Sequence, residues 1–432
     1  MKSVALHNLG CKVNSYEMDI MQQMLQENGF TIVPFSEKAD VYVVNTCSVT
    51  NIADRKSRQM LHQAKDRNPE AIVVAVGCYV QTGKAVLEKD DMVDLCIGNN
   101  RKKEIAHIIL EYMQEKTCED AVIDINAPCD YEDMTLEHTA EHTRAYIKIQ
   151  DGCNQFCSYC IIPYARGRVR SRSEESILSE VEGLAKSGYQ EIVLTGIHIS
   201  SYGTDLEPKH KSRMLPLLQK LQQVEGIDRI RLGSLEPRLI TEEFVKEIAG
   251  LTKLCPHFHL SLQSGCDRTL ERMNRHYTAA EYKVSVELLR RYFDHPAITT
   301  DVIVGFPGET EQEFAETRSF LNDIRFYEMH IFKYSKRKGT RAAEMPDQVP
   351  GAIQSERSHI LLDMEQAHSK EYRSHYVGQE VEVLWEDQKR IQGEEYWIGH
   401  TRQYVKVACK ERKQGPGHID GFLSDEILFM ST

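Results

Sequence analysis

Residues 146–160 read YIKIQDGCNQFCSYC, a strand over 146–150 followed by a loop that spaces Cys153, Cys157 and Cys160 as C-x3-C-x2-C. Soft thiolates suit iron–sulfur chemistry, and three of them can hold three irons of a [4Fe-4S] cluster while the fourth iron stays open. An open iron can chelate the amino and carboxylate groups of S-adenosylmethionine (SAM), and an electron passed into the sulfonium then releases a 5′-deoxyadenosyl radical. The bland alternative is structural zinc. Zinc prefers four protein ligands, usually from paired C-x2-C elements, and the chain has no second pair.

Downstream of that loop, strands recur at 192–195, 229–233, 257–262, 299–304 and 330–334 with helical segments between them. Six βα units predict a barrel, partial because a full one has eight. The segments TGIHISSYG, SLEP, HLSLQSG and DVIVGFPGET follow successive strands, on the face where barrels carry their chemistry. Glu236 is a candidate for the ribose or amino group of SAM, and Gly196, Gly305 and Gly308 would allow close backbone approach.

Upstream, strands at 4–9, 41–45 and 72–76 alternate with helices near 15–28 and 54–67, which implies a parallel sheet. Cys11, Cys47 and Cys78 each lie just past a strand's C-terminal end, the edge where open α/β sheets bind ligands. The expected fold is therefore α/β with three domains: an N-terminal parallel-sheet unit at 1–115, a linker at 116–143, a partial barrel at 144–370, and short alternating strands at 371–432 that look like a small β-barrel. A length of 432 residues fits about three such units.

Composition narrows the classes. With 41% hydrophobic and 27% charged residues the chain reads as globular. Its longest apolar run, 71–80, is about half of the ~20 residues a membrane helix needs, and the first residues lack a signal-peptide cleavage site. A cytoplasmic protein is expected, in which twelve cysteines point to metal or redox chemistry rather than disulfides. A net charge of −12 confines any nucleic-acid site to a local patch.

The segments NLGCKVNSYE, VVNTCSVT and AVGCYVQ, followed by DGCNQFCSYC and SLEP, resemble the methylthiotransferase family of radical SAM enzymes over nearly the whole chain. The resemblance implies two [4Fe-4S] clusters: one on Cys153, Cys157 and Cys160 that generates the radical, and one on Cys11, Cys47 and Cys78 that presents a methylated sulfide. Tyr159 matches an aromatic that stacks near the SAM adenine. The implied reaction consumes two SAM molecules, abstracts hydrogen from C2 of an adenine and places sulfur on that carbon. Cys96, Cys118, Cys129, Cys255, Cys266 and Cys409 fit none of these motifs.

The LGCKVN form around Cys11 is similar to the branch acting on N6-threonylcarbamoyladenosine next to the transfer-RNA anticodon. The alternatives are isopentenyladenosine in transfer RNA or an aspartate of a small-subunit ribosomal protein. A different class altogether is a sulfur carrier or RNA-binding protein with structural clusters, which would not cleave SAM. Expected partners are the modified transfer RNA, an electron donor and a sulfur source. Candidate RNA contacts are Arg166, Arg168, Arg170 and Arg172 after the cysteine loop and Lys333, Lys336, Arg337, Lys338 and Arg341 after the last barrel strand. The C-terminal unit resembles a TRAM domain, with Arg402, Tyr404 and Lys406 as further candidates.

Overall fold

The computed structural model describes residues 2–115, 121–136, 143–206, 211–412 and 415–431. Cys118 and much of the expected linker lie outside the described residues.

The N-terminal unit runs β1 (Lys2–Asn8), α1 (Lys12–Glu27), β2 (Phe30–Val33), β3 (Val41–Thr46), α2 (Asn51–Arg67), β4 (Ile72–Gly77), α3 (Cys78–Leu87), β5 (Leu95–Ile97) and α4 (Ile105–Glu115). Its five strands are parallel in the order β2-β1-β3-β4-β5. VYVVNT and IVVAVG are buried along their whole length because helices cover both faces, the setting in which β-branched runs form central parallel strands. The strand order reverses between β1 and β3, and the turns after these two strands carry Cys11 and Cys47 at the crevice that such a reversal opens.

The central unit comprises β6 (Arg144–Asp151), α5 (Ile162–Arg166), β7 (Arg170–Ser171), α6 (Glu174–Lys186), β8 (Glu191–Gly196), α7 (Met214–Leu221), β9 (Arg229–Leu232), α8 (Glu242–Ala249), β10 (His257–His259), α9 (Asp267–Arg272), α10 (Ala279–Tyr292), β11 (Ala297–Val304), α11 (Glu311–Ile324) and β12 (Glu328–Lys333). The sheets β7-β6-β8-β9 and β10-β11-β12 are joined by parallel bridges Ile230–Leu254 and Leu235–Leu260, which gives the expected open barrel of six parallel strands. Alternate residues of each strand, such as Ile147, Leu194, Ile230, Phe258 and Val302, pack in one apolar cluster under the helices. The opposite parity faces inward and carries a set of polar side chains, Lys148, Glu191, Arg231, His257, His259 and Asp301, among apolar ones such as Val193 and Ile303. A closed barrel fills that space with branched apolar side chains. Here the inner wall is built to meet charge.

α1 lies against β6 and β8, so the N-terminal unit packs onto the barrel's inner side. The described part of the expected linker, 121–136, is packed rather than free. Met134 and Leu136 bury against Tyr16 and Ile20 of α1, and the Tyr16 hydroxyl donates to Met134 O at 2.8 Å. After α12 (Gly351–Ser374), strands β13 (Glu380–Val381), β14 (Leu384–Ile391), β15 (Glu394–His400), β16 (Lys406–Cys409), β17 (Gly417–Ser424) and β18 (Ile427–Met430) form one six-stranded, mostly antiparallel sheet.

Candidate active site

The loop bearing Cys153, Cys157 and Cys160 leaves β6 through Gly152, at φ +71°, where a Cβ would stand 1.8 Å from the Arg168 carbonyl oxygen. Only glycine lets the loop fold so tightly on the turn that follows it. The 272–275 turn buttresses it. Ser158 N donates to Met273 O at 2.9 Å, Ser158 Oγ to Arg272 O at 2.7 Å, and Asn274 Nδ2 to Phe156 O at 3.1 Å. From the same turn the Arg275 guanidinium donates to Cys157 Sγ at 3.2 Å.

A cavity of about 130 Å³ opens beside the three sulfurs, lined also by Tyr159, His198, Ser234, Glu236, Ser261, Gln263 and Arg275. Glu236 takes two bonds from Arg238, at 2.8 and 3.1 Å. Burial pushes this carboxyl up, but His198, Arg238 and Arg275 overcome it and hold it at about 2, so it is ionised at neutral pH. His198 Nε2 is buried without a hydrogen-bond partner among the described residues and stands 3.6 Å from Glu236. An ionised acceptor, an orphaned imidazole nitrogen and three converging thiols fit a cluster with a zwitterionic, nucleoside-bearing ligand. Tyr159 and Glu236 thus border the cavity. Gly196 and Gly305 do not. A Cβ on Gly196 would press on Gln150 O at 2.9 Å, and one on Gly305, at φ +71°, would press on Gln354 at 2.4 Å, so protein neighbours account for both glycines.

Cys11, Cys47 and Cys78 sit at three strand-to-helix turns. Cys11 is the N-cap of α1, Cys78 the first residue of α3, and Cys47 lies three residues before Thr50, the N-cap of α2. Cys11 and Cys78 thus stand at helix N-termini, where the dipole favours thiolate or an anionic cluster, whereas the first-turn amides of α2 are taken by Ser335 and Thr50. A Cβ on Gly10 would lie 3.3 Å from Cys47 Sγ, which shows how tightly the turns meet. Arg166, at the C-terminal end of α5 and fully buried, donates through Nε to Cys78 Sγ at 3.3 Å. Its other nitrogens donate to Glu17 at 2.8 and 3.0 Å and to Asn14 Oδ1 at 2.7 Å. The six residues after Cys160 thus reach from one cysteine set to the other. Burial raises the Cys47 and Cys153 thiols to about 11 and Cys160 higher, so filling either site with metal must expel protons.

Among the basic candidates, four are corrected by burial. Arg166 is committed to Glu17 and Cys78, Arg172 to Glu180 and Asp133, Arg170 to Cys129 and the Arg166 carbonyl, and Arg337 to Asp54 at 2.6 Å and Ser48. None presents its charge to a phosphate. Arg168 and Lys336 are exposed, Arg168 over the Phe156 ring. Arg402 donates to the Thr252 and Leu254 carbonyls, and Tyr404 stacks between His257 and His400, so this part of the C-terminal unit binds the barrel's base. Sequence reasoning missed Arg275, His198 and Phe332. Phe332 lies on the inward parity of the edge strand β12 and is exposed, an apolar ring at the open side of the chamber.

Residues 147–321 match the radical SAM superfamily, and residues 3–98 match the family described as uncharacterized protein family UPF0004. The chain is 40% identical over 420 residues to threonylcarbamoyladenosine tRNA methylthiotransferase MtaB of Bacillus subtilis (strain 168), covering 97% of this chain and 93% of the relative. It is 41% identical to the protein of the same name from Aquifex aeolicus (strain VF5), covering 91% and 95%. Identity to a tRNA-2-methylthio-N(6)-dimethylallyladenosine synthase of Thermoanaerobacter pseudethanolicus (strain ATCC 33223 / 39E) is 37%, covering 88% and 81%. Among solved structures, the radical SAM methyltransferase TsrM of Kitasatospora setae superimposes with a TM-score of 0.56 at 15% identity over 77% of this chain and 75% of that one, a likeness of fold. Membership of the radical SAM superfamily implies a [4Fe-4S] cluster and SAM, for which the Cys153, Cys157 and Cys160 loop and its cavity are the fitting place.

Proposed function

The chain belongs to the tRNA methylthiotransferase family of radical SAM proteins, and from that premise we propose that it converts N6-threonylcarbamoyladenosine at position 37 of transfer RNA to its 2-methylthio derivative. One observation carries the reading. Two separate three-cysteine sites stand on different domains, and Arg166, from the helix that follows the radical SAM loop, donates to a sulfur of the other site. A protein that only generated a radical would have no use for the second set. When bound, the first cluster and SAM supply the radical, and a second [4Fe-4S] cluster on Cys11, Cys47 and Cys78 supplies the methylated sulfide.

The residues serve that chemistry by holding geometry. Glu236 stays ionised to accept from the cofactor's ammonium or ribose hydroxyls, the 272–275 turn fixes the cysteine loop, and Glu17 with Arg166 keeps the N-terminal turns against the barrel. The electron donor and sulfur source act from outside the chain. No helix among the described residues is long and apolar enough to cross a membrane. The C-terminal sheet serves as a TRAM-like unit that meets the RNA.

The deciding test is nucleoside mass spectrometry on threonylcarbamoyl-modified transfer RNA incubated anaerobically with reconstituted protein, SAM, sulfide and reductant. Appearance of the 2-methylthio nucleoside is expected. 5′-Deoxyadenosine formed without it, together with product on isopentenyl-modified RNA, would move the substrate to the alternative. Cys157→Ala should abolish SAM cleavage, while Cys47→Ala should retain cleavage and lose sulfur insertion. Equal loss of both in two folded variants sinks the division of labour.

A further inference from the structure

We propose that His259, Asp301 and His330 form a divalent-metal site on the inner wall of the barrel, separate from both cysteine sets. One ligand atom from each of the three residues lies within 4.8 Å of the other two, the only such group among the described residues. The three stand on adjacent parallel strands, β10, β11 and β12, where Asp301 pairs with His330 and the His259 partner is Thr299, two residues before Asp301. All share the inward parity. The His259 and His330 rings are 5.8 Å apart and tilted by 31°, so both imidazoles converge on the carboxylate.

The surroundings favour ligation over a plain ion pair. His259 Nδ1 is 2.9 Å from the Thr299 hydroxyl, and with Nδ1 donating there the lone pair of Nε2 faces Asp301 Oδ2 at 3.4 Å. Holding one imidazole nitrogen with a hydrogen bond so that the other can ligate is how proteins orient metal-binding histidines. The Asp301–His259 separation is long for a hydrogen bond and leaves room for an ion between them. Two imidazoles and a carboxylate on one side of an ion leave its other positions open, a donor set that suits a divalent first-row metal such as Zn²⁺, Fe²⁺ or Mn²⁺.

One of the three ligands borders open space. His330 is exposed and lines a cleft of about 990 Å³ between β12, α12 and the C-terminal sheet. Ser261, two residues beyond His259 and past the end of β10, lines the cysteine cavity. At about 3.3 Å per residue the site lies roughly 7 Å below that cavity's wall. An anionic substituent on the substrate base would be repelled by Asp301 alone and attracted once a cation covers it. On the reading given under Proposed function, the ligand for the open positions is the carboxylate of the threonylcarbamoyl group.

The test uses the full-length, cluster-loaded protein and Mn²⁺, a hard ion that thiolates take poorly. Titration followed by the EPR signal of free Mn²⁺ should show one site per chain, and Asp301→Asn and His330→Ala should each weaken it at least tenfold. Cluster absorbance and thermal denaturation check that the variants are folded. Undiminished binding in both folded variants, or no stoichiometric site in the unaltered protein, overturns the proposal. A second arm adds the N6-threonylcarbamoyladenosine nucleoside, or adenosine, to the Mn²⁺-loaded protein. A change in the bound-Mn²⁺ spectrum with the first nucleoside alone supports the carboxylate as ligand, and no change refutes that ligand. Neither arm requires turnover, so failure here is distinct from failure to form the methylthio product.

Discussion

Glu236 shows what a single residue contributes to the cofactor cavity. Its carboxyl sits at about 2 because His198, Arg238 and Arg275 outweigh burial, so it is a full negative charge across the neutral range. A charge-assisted hydrogen bond is worth about 1.5–3 kcal/mol, and Glu236→Gln should therefore weaken SAM binding roughly 10- to 150-fold. Equilibrium binding to cluster-loaded protein checks this. A depressed carboxyl titrates only as pH falls toward its own value, so SAM affinity should show no Glu236 titration between about pH 5 and 8. Some residues were legible in advance and some were not, for a physical reason. Cys153, Cys157 and Cys160 announce themselves because a cluster needs ligands at fixed local spacing. Arg166 and Arg172 read as exposed basic charge because their partners, Glu17 and Glu180, are brought to them only by packing.

At the scale of elements, strand periodicity carried the reading well. All six barrel strands and the three N-terminal strands after which the cysteines fall lie where alternation with helices placed them. β2 and β5 were missed because they are edge strands of four and three residues, too short for alternation with a helix to mark them although both are apolar. The segment 121–136 reads as a linker from its acids and proline, yet its apolar residues Ala121, Ile125, Met134 and Leu136 are buried. The cysteine loop is an element in its own right, closed by Gly152. Gly152→Ala puts a Cβ into the Arg168 carbonyl and forces a left-handed φ on an alanine, so the variant should lose cluster iron while the N-terminal sites keep theirs. Iron and sulfide analysis against Cys153→Ala gives the comparison. On the neighbouring edge strand, Phe332 offers an exposed ring at the chamber's open side. Stacking of a base on an aromatic ring is worth about 1–3 kcal/mol, so Phe332→Ala should weaken transfer-RNA binding by about 5- to 150-fold. Unchanged affinity in a filter-binding or anisotropy assay would place the RNA elsewhere.

Across the whole molecule, the N-terminal unit and the barrel are joined by charge buried where barrels are usually apolar. Glu17 of α1 meets Lys102 of its own domain, Lys148 of β6 at 2.7 Å and Arg166 of α5 at 2.8 Å, and all four side chains are at most 1% exposed. Burial alone would raise the Glu17 carboxyl, but Arg166, Lys102 and Lys148 drive it well below the usual carboxylate range. Apolar residues of equal volume could stabilise such an interface as well, but removing one partner from a buried network costs about 3–5 kcal/mol because the remaining charges cannot be resolvated. Glu17→Gln keeps the shape and removes the charge. It should lower stability by about that amount at neutral pH, measured by denaturant unfolding, and should loosen Arg166 from Cys78. The pH dependence has a definite sign. A carboxyl depressed in the folded state contributes its stability fully above its unfolded value of about 4.3 and loses it as pH falls toward the folded value. The gap between the parent and Glu17→Gln should therefore be widest near pH 7 and narrow below about pH 4. A gap that stayed constant across that range would mean that the side chain acts by packing, and that something other than this charge network holds the two cysteine sites together.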